Sequence, residues 1–141
     1  MSFTRRDLNL LLPALAASAA MAQDKKLLPS ACFKYEDLPV KVNGENRQRA
    51  ILNGTTHKGS AVEIHMTELG PGMAPHPPHK HLHEEMVLVR TGELDVTIGG
   101  KTTHLTPGSM AYVASNEEHG WKNPTSGRTE YFVIALGQNQ G

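Results

Sequence analysis

The chain has 141 residues, in which fourteen lysines and arginines face fourteen aspartates and glutamates, and it carries eight histidines. That length holds one compact domain, and the even charge balance argues against nucleic acid, an anionic membrane or a charged polymer as partner and in favour of a small molecule. Histidine is dense in one place, His76-Pro-Pro-His79-Lys-His81-Leu-His83.

Residues 1–22 read as a signal peptide, because Arg5-Arg6 precede the apolar run Leu10 to Ala20 and Ala20-Met21-Ala22 supplies small residues for cleavage. Thr4-Arg5-Arg6-Asp7-Leu8-Asn9-Leu10 resembles the twin-arginine export motif, with Leu8 where phenylalanine is commoner and Asn9 where lysine is often found. An ordinary secretory signal and a retained anchor are the rival readings, although the run falls short of the roughly 20 apolar residues that a membrane span takes. The expectation is a periplasmic or secreted protein with no membrane attachment after cleavage. Twin-arginine export carries proteins already folded, often around a cofactor, so the signal and the histidine cluster fit each other. Cys32 is the single cysteine and has no intrachain partner for a disulfide.

Residues 23–45 are polar and proline-punctuated, without a sustained period, and read as a leader that pairs with the edge of a barrel spanning 46–141. From there the sequence predicts an all-β domain. Gln48 to Leu52 reads as a strand ending in the turn dipeptide Asn53-Gly54, and Ala61 to Glu68 alternates, with Val62, Ile64 and Met66 sharing one face. Gly70-Pro71-Gly72 and Pro75, Pro77 and Pro78 make the next segment a stiff loop. Regularity resumes at Glu85, and Met86 to Thr91 is closed by Gly92. Leu94 to Ile98 joins Lys101 to Leu105 through Gly99-Gly100, a pair suited to a tight hairpin. Thr106-Pro107-Gly108 turns again, and Met110 to Val113, His119 to Asn123 and Thr129 to Leu136 complete the strands. No helix or internal repeat is predicted after the signal.

Side chains at i and i+2 of an extended backbone point the same way, so His79 and His81 can present their imidazoles to one point. Glu85 shares its parity with Val87 and Val89 and would face an apolar interior, where an unpaired carboxylate is costly unless a cation compensates it. His119 lies far along the chain, but closing a barrel can carry it to the same place. The rival reading is a histidine-rich loop that chelates without a defined site.

The spacing resembles the two motifs of the cupin family. The first is carried by His79-Lys-His81-Leu-His-Glu-Glu85-Met-Val-Leu-Val-Arg-Thr-Gly92, the second by Gly108-Ser-Met-Ala-Tyr-Val-Ala114-Ser-Asn116-Glu-Glu-His119-Gly-Trp-Lys-Asn123. The resemblance covers residues 60 to 136 and implies a cupin-type double-stranded β-helix, or jelly-roll barrel. Two departures stand out: six residues, rather than five, separate Gly72 from His79, and Ala114 and Asn116 stand where the second motif usually has proline and glycine. Asparagine tolerates the left-handed backbone that a glycine supplies there.

The family's metal-ligand positions correspond to His79, His81, Glu85 and His119. Such a set implies one divalent transition metal ion, iron, manganese, nickel, copper, cobalt or zinc, which geometry rather than ligand identity must select. With open coordination positions it supports a metal-dependent oxidoreductase or dioxygenase acting on a small molecule. The alternatives are a non-catalytic metal or small-ligand binding protein and a metal-dependent isomerase. A homodimer is the expected assembly. Met110, Tyr112, Trp121 and Phe132 are the candidates for shaping a pocket, with ordinary core as the competing role for each. His83 reads as a neighbour of the site rather than a fifth ligand, His76 as a rim residue, and His57, His65 and His104 as solvated or satisfied. No nucleophile–base pair points to hydrolysis through serine or cysteine.

Overall fold

In the computed structural model, which describes residues 26–137, the leader is not structureless: it contributes a short 3-10 turn at Tyr35–Asp37 and strand β1 (Val40–Asn43). The signal peptide read at 1–22 lies outside the described residues. Then follow β2 (Asn46–Thr55), β3 (Ala61–Leu69), β4 (Glu84–Thr91), β5 (Leu94–Ile98), β6 (Lys101–Leu105), β7 (Met110–Val113), β8 (His119–Lys122) and β9 (Thr129–Leu136). They form two facing antiparallel sheets, one of order β1-β2-β3-β9-β4-β7 and one of order β6-β5-β8. This is the jelly-roll sandwich.

Between the sheets, Leu69, Val87, Val89, Leu94, Val96, Leu105, Trp121, Tyr131 and Val133 pack into one core. Strand alternation places them there, since Val87 and Val89 share a face of β4 and Tyr131 and Val133 share a face of β9. Removing these side chains from water is the main force holding the sheets together.

The turn chemistry acts largely as expected. Gly99 and Gly100 both take positive φ, 54° and 81°, as a two-residue hairpin loop of matching twist requires. Pro107-Gly108 sits at the centre of a turn closed by the Ser109 N–H on the Thr106 carbonyl at 2.9 Å, with Gly108 at φ 84°. Asn116 adopts φ 62° in the place of the missing glycine.

Asn53-Gly54, in contrast, is no turn. It lies inside β2, and the chain reverses only at residues 56–60. The glycine serves a close approach instead: a Cβ on Gly54 would come within 2.7 Å of the Lys26 carbonyl oxygen and 2.8 Å of Leu28 Cδ2. There the leader crosses β2, with Leu28 N–H donating to the Thr55 carbonyl and Thr55 N–H to that of Lys26.

The same leader covers part of the outer face of the large sheet, so the second half of β3, Met66 to Leu69, is buried on both sides. Met66 is 2% exposed beneath Phe33, Tyr35 and Leu38, while Thr67 and Leu69, at 6% and 0%, face the other sheet. Val62, Ile64 and Met66 therefore point away from the inter-sheet core, and Glu63, His65, Thr67 and Leu69 point towards it. Tyr35 fastens the leader, its ring lying 4.5 Å from the Arg49 guanidinium carbon and 4.9 Å from that of Arg90. Beside this clamp the buried Glu68 carboxylate is paired with Arg128, Arg47 and Arg49 at 2.9, 3.5 and 3.6 Å.

Candidate metal centre

His79 and His119 are brought together by backbone rather than by side chains. Each N–H donates to the other's carbonyl at 2.9 Å, an isolated antiparallel bridge that pins the proline-rich loop to the start of β8. Directly opposed residues in such a pair project to one side, and the two rings stand 4.9 Å apart, edge to face. His81 is held similarly, its carbonyl accepting the Asn116 N–H at 2.8 Å, and its ring lies 4.9 Å from that of His79 and 4.8 Å from that of His119. The ligand atoms of these three histidines fall within 4.8 Å of one another.

Glu85 reaches the cluster from β4. Oε2 lies 3.3 Å from His119 Nε2, and Oε1 lies 3.4 Å from His81 Nε2. His119 is 1% exposed and Glu85 9%, so neither depends on water for solvation. The four residues singled out by the sequence thus meet at one point.

Tautomers decide what that point can hold. His119 Nδ1–H donates to the Glu117 carbonyl at 2.8 Å and His81 Nδ1–H to the His83 carbonyl at 2.9 Å, which leaves the lone pairs of both rings on Nε2. Those two Nε2 atoms and Glu85 Oε2 are buried with no hydrogen-bond partner. Lone pairs facing a carboxylate oxygen without a donor are unfavourable, each orphan atom costing about 1–3 kcal/mol. A divalent cation is the group that satisfies all three together, and imidazole with carboxylate suits a transition ion. The residues therefore fit such an ion, with His79 as a further nitrogen ligand.

The electrostatics agree. Burial, together with the neighbouring imidazoles of His76, His119 and His81, lowers His79 below the ordinary histidine value and favours its neutral, ligating form. Burial raises Glu85, but the hydrogen bond from His83 and the histidine charges outweigh it and hold the carboxyl below its ordinary value.

His83 is more involved than the sequence implied. Its Nε2–H donates to Glu85 Oε1 at 3.0 Å, and its ring stacks on His81 with centroids 3.4 Å apart. His76 stacks on His79 at 4.0 Å, on the rim.

A cavity of about 250 Å³ opens beside the cluster, lined by Glu85, His76, Trp121, Tyr131, His65, Thr67, Gln48, Lys41 and others. Its size suits a small ligand, since pockets for drug-sized molecules run from about 300 Å³ upwards. Of the four pocket candidates only Trp121 lines it. Trp121 Nε1–H donates to the Tyr131 hydroxyl at 2.8 Å, and its ring stacks on that of His119 at 5.6 Å. Met110 and Tyr112 are 58% and 51% exposed on the outer face of β7, because Ala111 and Val113 take the inward parity. Phe132 opposes Met66 and Leu88 on the outer face of the large sheet and lies in the groove under the leader. These three are not part of the cavity.

His65, Thr67 and Tyr131 were missed. Their signal was parity: on β3 the polar positions Glu63, His65 and Thr67 read as a solvent face, yet they share the face of Leu69, which is fully buried.

Residues 65–135 match the family described as Cupin domain. The chain is 34% identical over 112 residues to a dimethylsulfoniopropionate lyase, DddW, of Ruegeria pomeroyi, an alignment covering 75% of this chain and 73% of that protein. Among solved structures it resembles KdgF from Halomonas sp., with a TM-score of 0.68 at 14% identity over 79% of this chain and 97% of that one. An RmlC-like cupin from Shewanella frigidimarina gives 0.64 at 20% identity, over 79% and 95%. At such identities the structural likenesses speak for the fold alone. The family match and the lyase relative, joined to the observed jelly roll, place this chain in the cupin family.

Proposed function

We propose that this protein is a metal-dependent cupin enzyme that performs a β-elimination on a small carboxylate bearing a cationic leaving group, with dimethylsulfoniopropionate as the compound to test first. The observation that carries the reading is the set of three buried, partnerless ligand atoms on His81, His119 and Glu85, the last of which lines a small cavity. The lyase relative supplies the reaction class. The oxidoreductase reading made from the ligand set gives way here, because a redox role has no comparable support.

His79, His81, Glu85 and His119 would hold the ion. Bound there, a divalent cation would act as a Lewis acid towards the substrate carboxylate and stabilise the charge that builds beside it when the neighbouring C–H bond breaks. The chain's own residues do the rest. Trp121 and Tyr131 line the cavity with aromatic surface that attracts a sulfonium group. Lys41 and Arg47, on the β1–β2 hairpin, put positive charge at the mouth, which draws an anionic group inward. Val133 and the ring of Trp121 keep part of the wall apolar and limit water.

Export belongs to the same proposal, supported by Arg5-Arg6 ahead of Leu10 to Ala20. So does a homodimer, supported by exposed Met110 and Tyr112 on the edge strand β7 and tested by light scattering.

The functional test is direct. Protein stripped of metal and reloaded separately with Mn²⁺, Fe²⁺, Ni²⁺, Cu²⁺, Co²⁺ or Zn²⁺ is incubated with dimethylsulfoniopropionate, and released dimethyl sulfide is measured in the headspace. Metal-dependent release supports the lyase. Stoichiometric metal without release from this compound would leave the binding-protein reading in its place.

A further inference from the structure

The geometry points to His65 as the group that takes the proton in this elimination, with Glu63 as the carboxylate that orients its ring. The inference rests on the lyase reading above.

β3 delivers both residues to the cavity side. His65 sits opposite Val133 of β9, which sits opposite Val87 of β4, while Glu63, Ala135 and Glu85 form the adjacent row. His65 and the metal-ligand carboxylate thus stand two strands apart, about 9.6 Å at the usual spacing of about 4.8 Å, and one step along the sheet. Both line the cavity. A small substrate held beside Glu85 has His65 on the wall of the same cavity.

The His65 ring is 18% exposed, and its Nδ1 is a buried atom with no hydrogen bond of normal geometry. Its neighbour on the same face is Glu63, whose Oε1 lies 3.4 Å from that nitrogen. A ring that turns Nδ1 to a carboxylate and borders a cavity is the arrangement of a general base and its orienting partner, with Nε2 as the atom that takes the proton. Ala50 opposes His65 from β2 and Val133 from β9, neither of them charged, and Glu85 is the charge that reaches it from β4.

Charge state supports the assignment. Burial pulls His65 below the ordinary histidine value, with Glu63 and Glu85 opposing that pull, so the neutral imidazole with its lone pair is the form present at neutral pH. Tyr131, the other ionisable group deep in the cavity wall, is pushed the opposite way by burial and keeps its proton.

The step balances. His65 accepts the proton from the carbon next to the substrate carboxylate, and the C–H electron pair becomes the new C=C bond. The bond from the next carbon to sulfur breaks with its pair staying on sulfur. Dimethyl sulfide and acrylate leave, and imidazolium returns its proton to water.

The experiment compares wild type, His65→Gln and Glu63→Gln, each reloaded with Mn²⁺ and supplied with dimethylsulfoniopropionate. Loss of a general base is worth about 10²–10⁴-fold, so His65→Gln lowers kcat by at least about 100-fold while its Mn²⁺ affinity, read by titration, stays at the wild-type value. Glu63→Gln removes a neighbour that raises His65, so the acid limb of kcat/KM moves to lower pH. A His65→Gln enzyme with near-wild-type kcat, or one whose loss is matched by lost Mn²⁺ affinity, overturns the assignment and leaves the lyase reading standing. A wild-type enzyme that releases no dimethyl sulfide with any metal sinks the lyase reading and the role of His65 with it.

Discussion

His83 hydrogen-bonds one oxygen of Glu85 at 3.0 Å, which leaves the other, Oε2, facing His119 Nε2 at 3.3 Å. The same residue's backbone carbonyl fixes the His81 tautomer, and its ring packs on that of His81. Loss of a partner that orients metal ligands typically costs about 10–100-fold in affinity. His83→Ala should fall in that range in a Mn²⁺ titration, and His83→Gln, which keeps a donor, should recover part of it. Equal affinity in wild type and His83→Ala would show that Glu85 is oriented without it.

Binding to the folded state alone should raise thermal stability. At a hundredfold excess of free ion over Kd the gain is about 2.7 kcal/mol. Calorimetry with Mn²⁺ should show that rise in wild type and in His57→Ala, since His57 is exposed on the β2–β3 turn. His119→Ala and Glu85→Gln should show little of it. A similar rise in all four proteins would mean that the histidines chelate without a defined site.

Gly92 closes the first motif with φ 72°, and a Cβ there would lie 2.5 Å from the Arg128 carbonyl oxygen and 2.6 Å from Thr129 Oγ1. Left-handed strain alone costs about 1–3 kcal/mol for a residue with a side chain, and the backbone collision adds to it. Gly92→Ala should lower the urea midpoint accordingly, whereas Gly100→Ala, whose Cβ meets nothing within 4 Å, should bear only the strain.

His104, exposed on β6, donates from Nδ1 to Asp95 at 2.7 Å, and that hydrogen bond raises it above the ordinary value of 6.5. A raised folded value means that the pairing contributes fully below 6.5 and is lost as pH rises through the higher, folded value. Asp95→Asn should bring the His104 titration, followed by NMR, back towards the ordinary value. No movement would place the cause at Glu93, whose carboxylate lies 3.3 Å from Nε2.

Much of this molecule was legible before any coordinates. His79, His81 and Glu85 announce themselves because their spacing is local on the loop and β4, His119 through the second motif, and Gly99-Gly100 and Thr106-Pro107-Gly108 form the turns that their backbone preferences dictate. What the sequence hid was sidedness. Alternation reveals which residues share a face, not which face turns inward, and β3 is apolar on one side because the leader lies over it. His65 therefore reads as solvated or satisfied, and Asn53-Gly54 as a turn, until Gly54 is seen beneath Lys26 and Leu28. Met110, Tyr112 and Phe132 fell to the same ambiguity, being large and apolar but on the outer parity.

The register of β2 against β3 slips between Ala50 and Leu52, so Ile51 is an extra residue. Because of it, Ile51 and Leu52 can both serve the groove under the leader, while Gln48 still faces the ligand space with Thr67. Deleting Ile51 would set Ala50 beside Leu52 as His65 stands beside Ile64, so the ladder would run on unbroken with Gln48 still opposite Thr67, and the loss would fall on the apolar groove under the leader. The extra residue at position 51 thereby supplies the outer groove without disturbing the pairing that keeps Gln48 on the ligand side of the sheet.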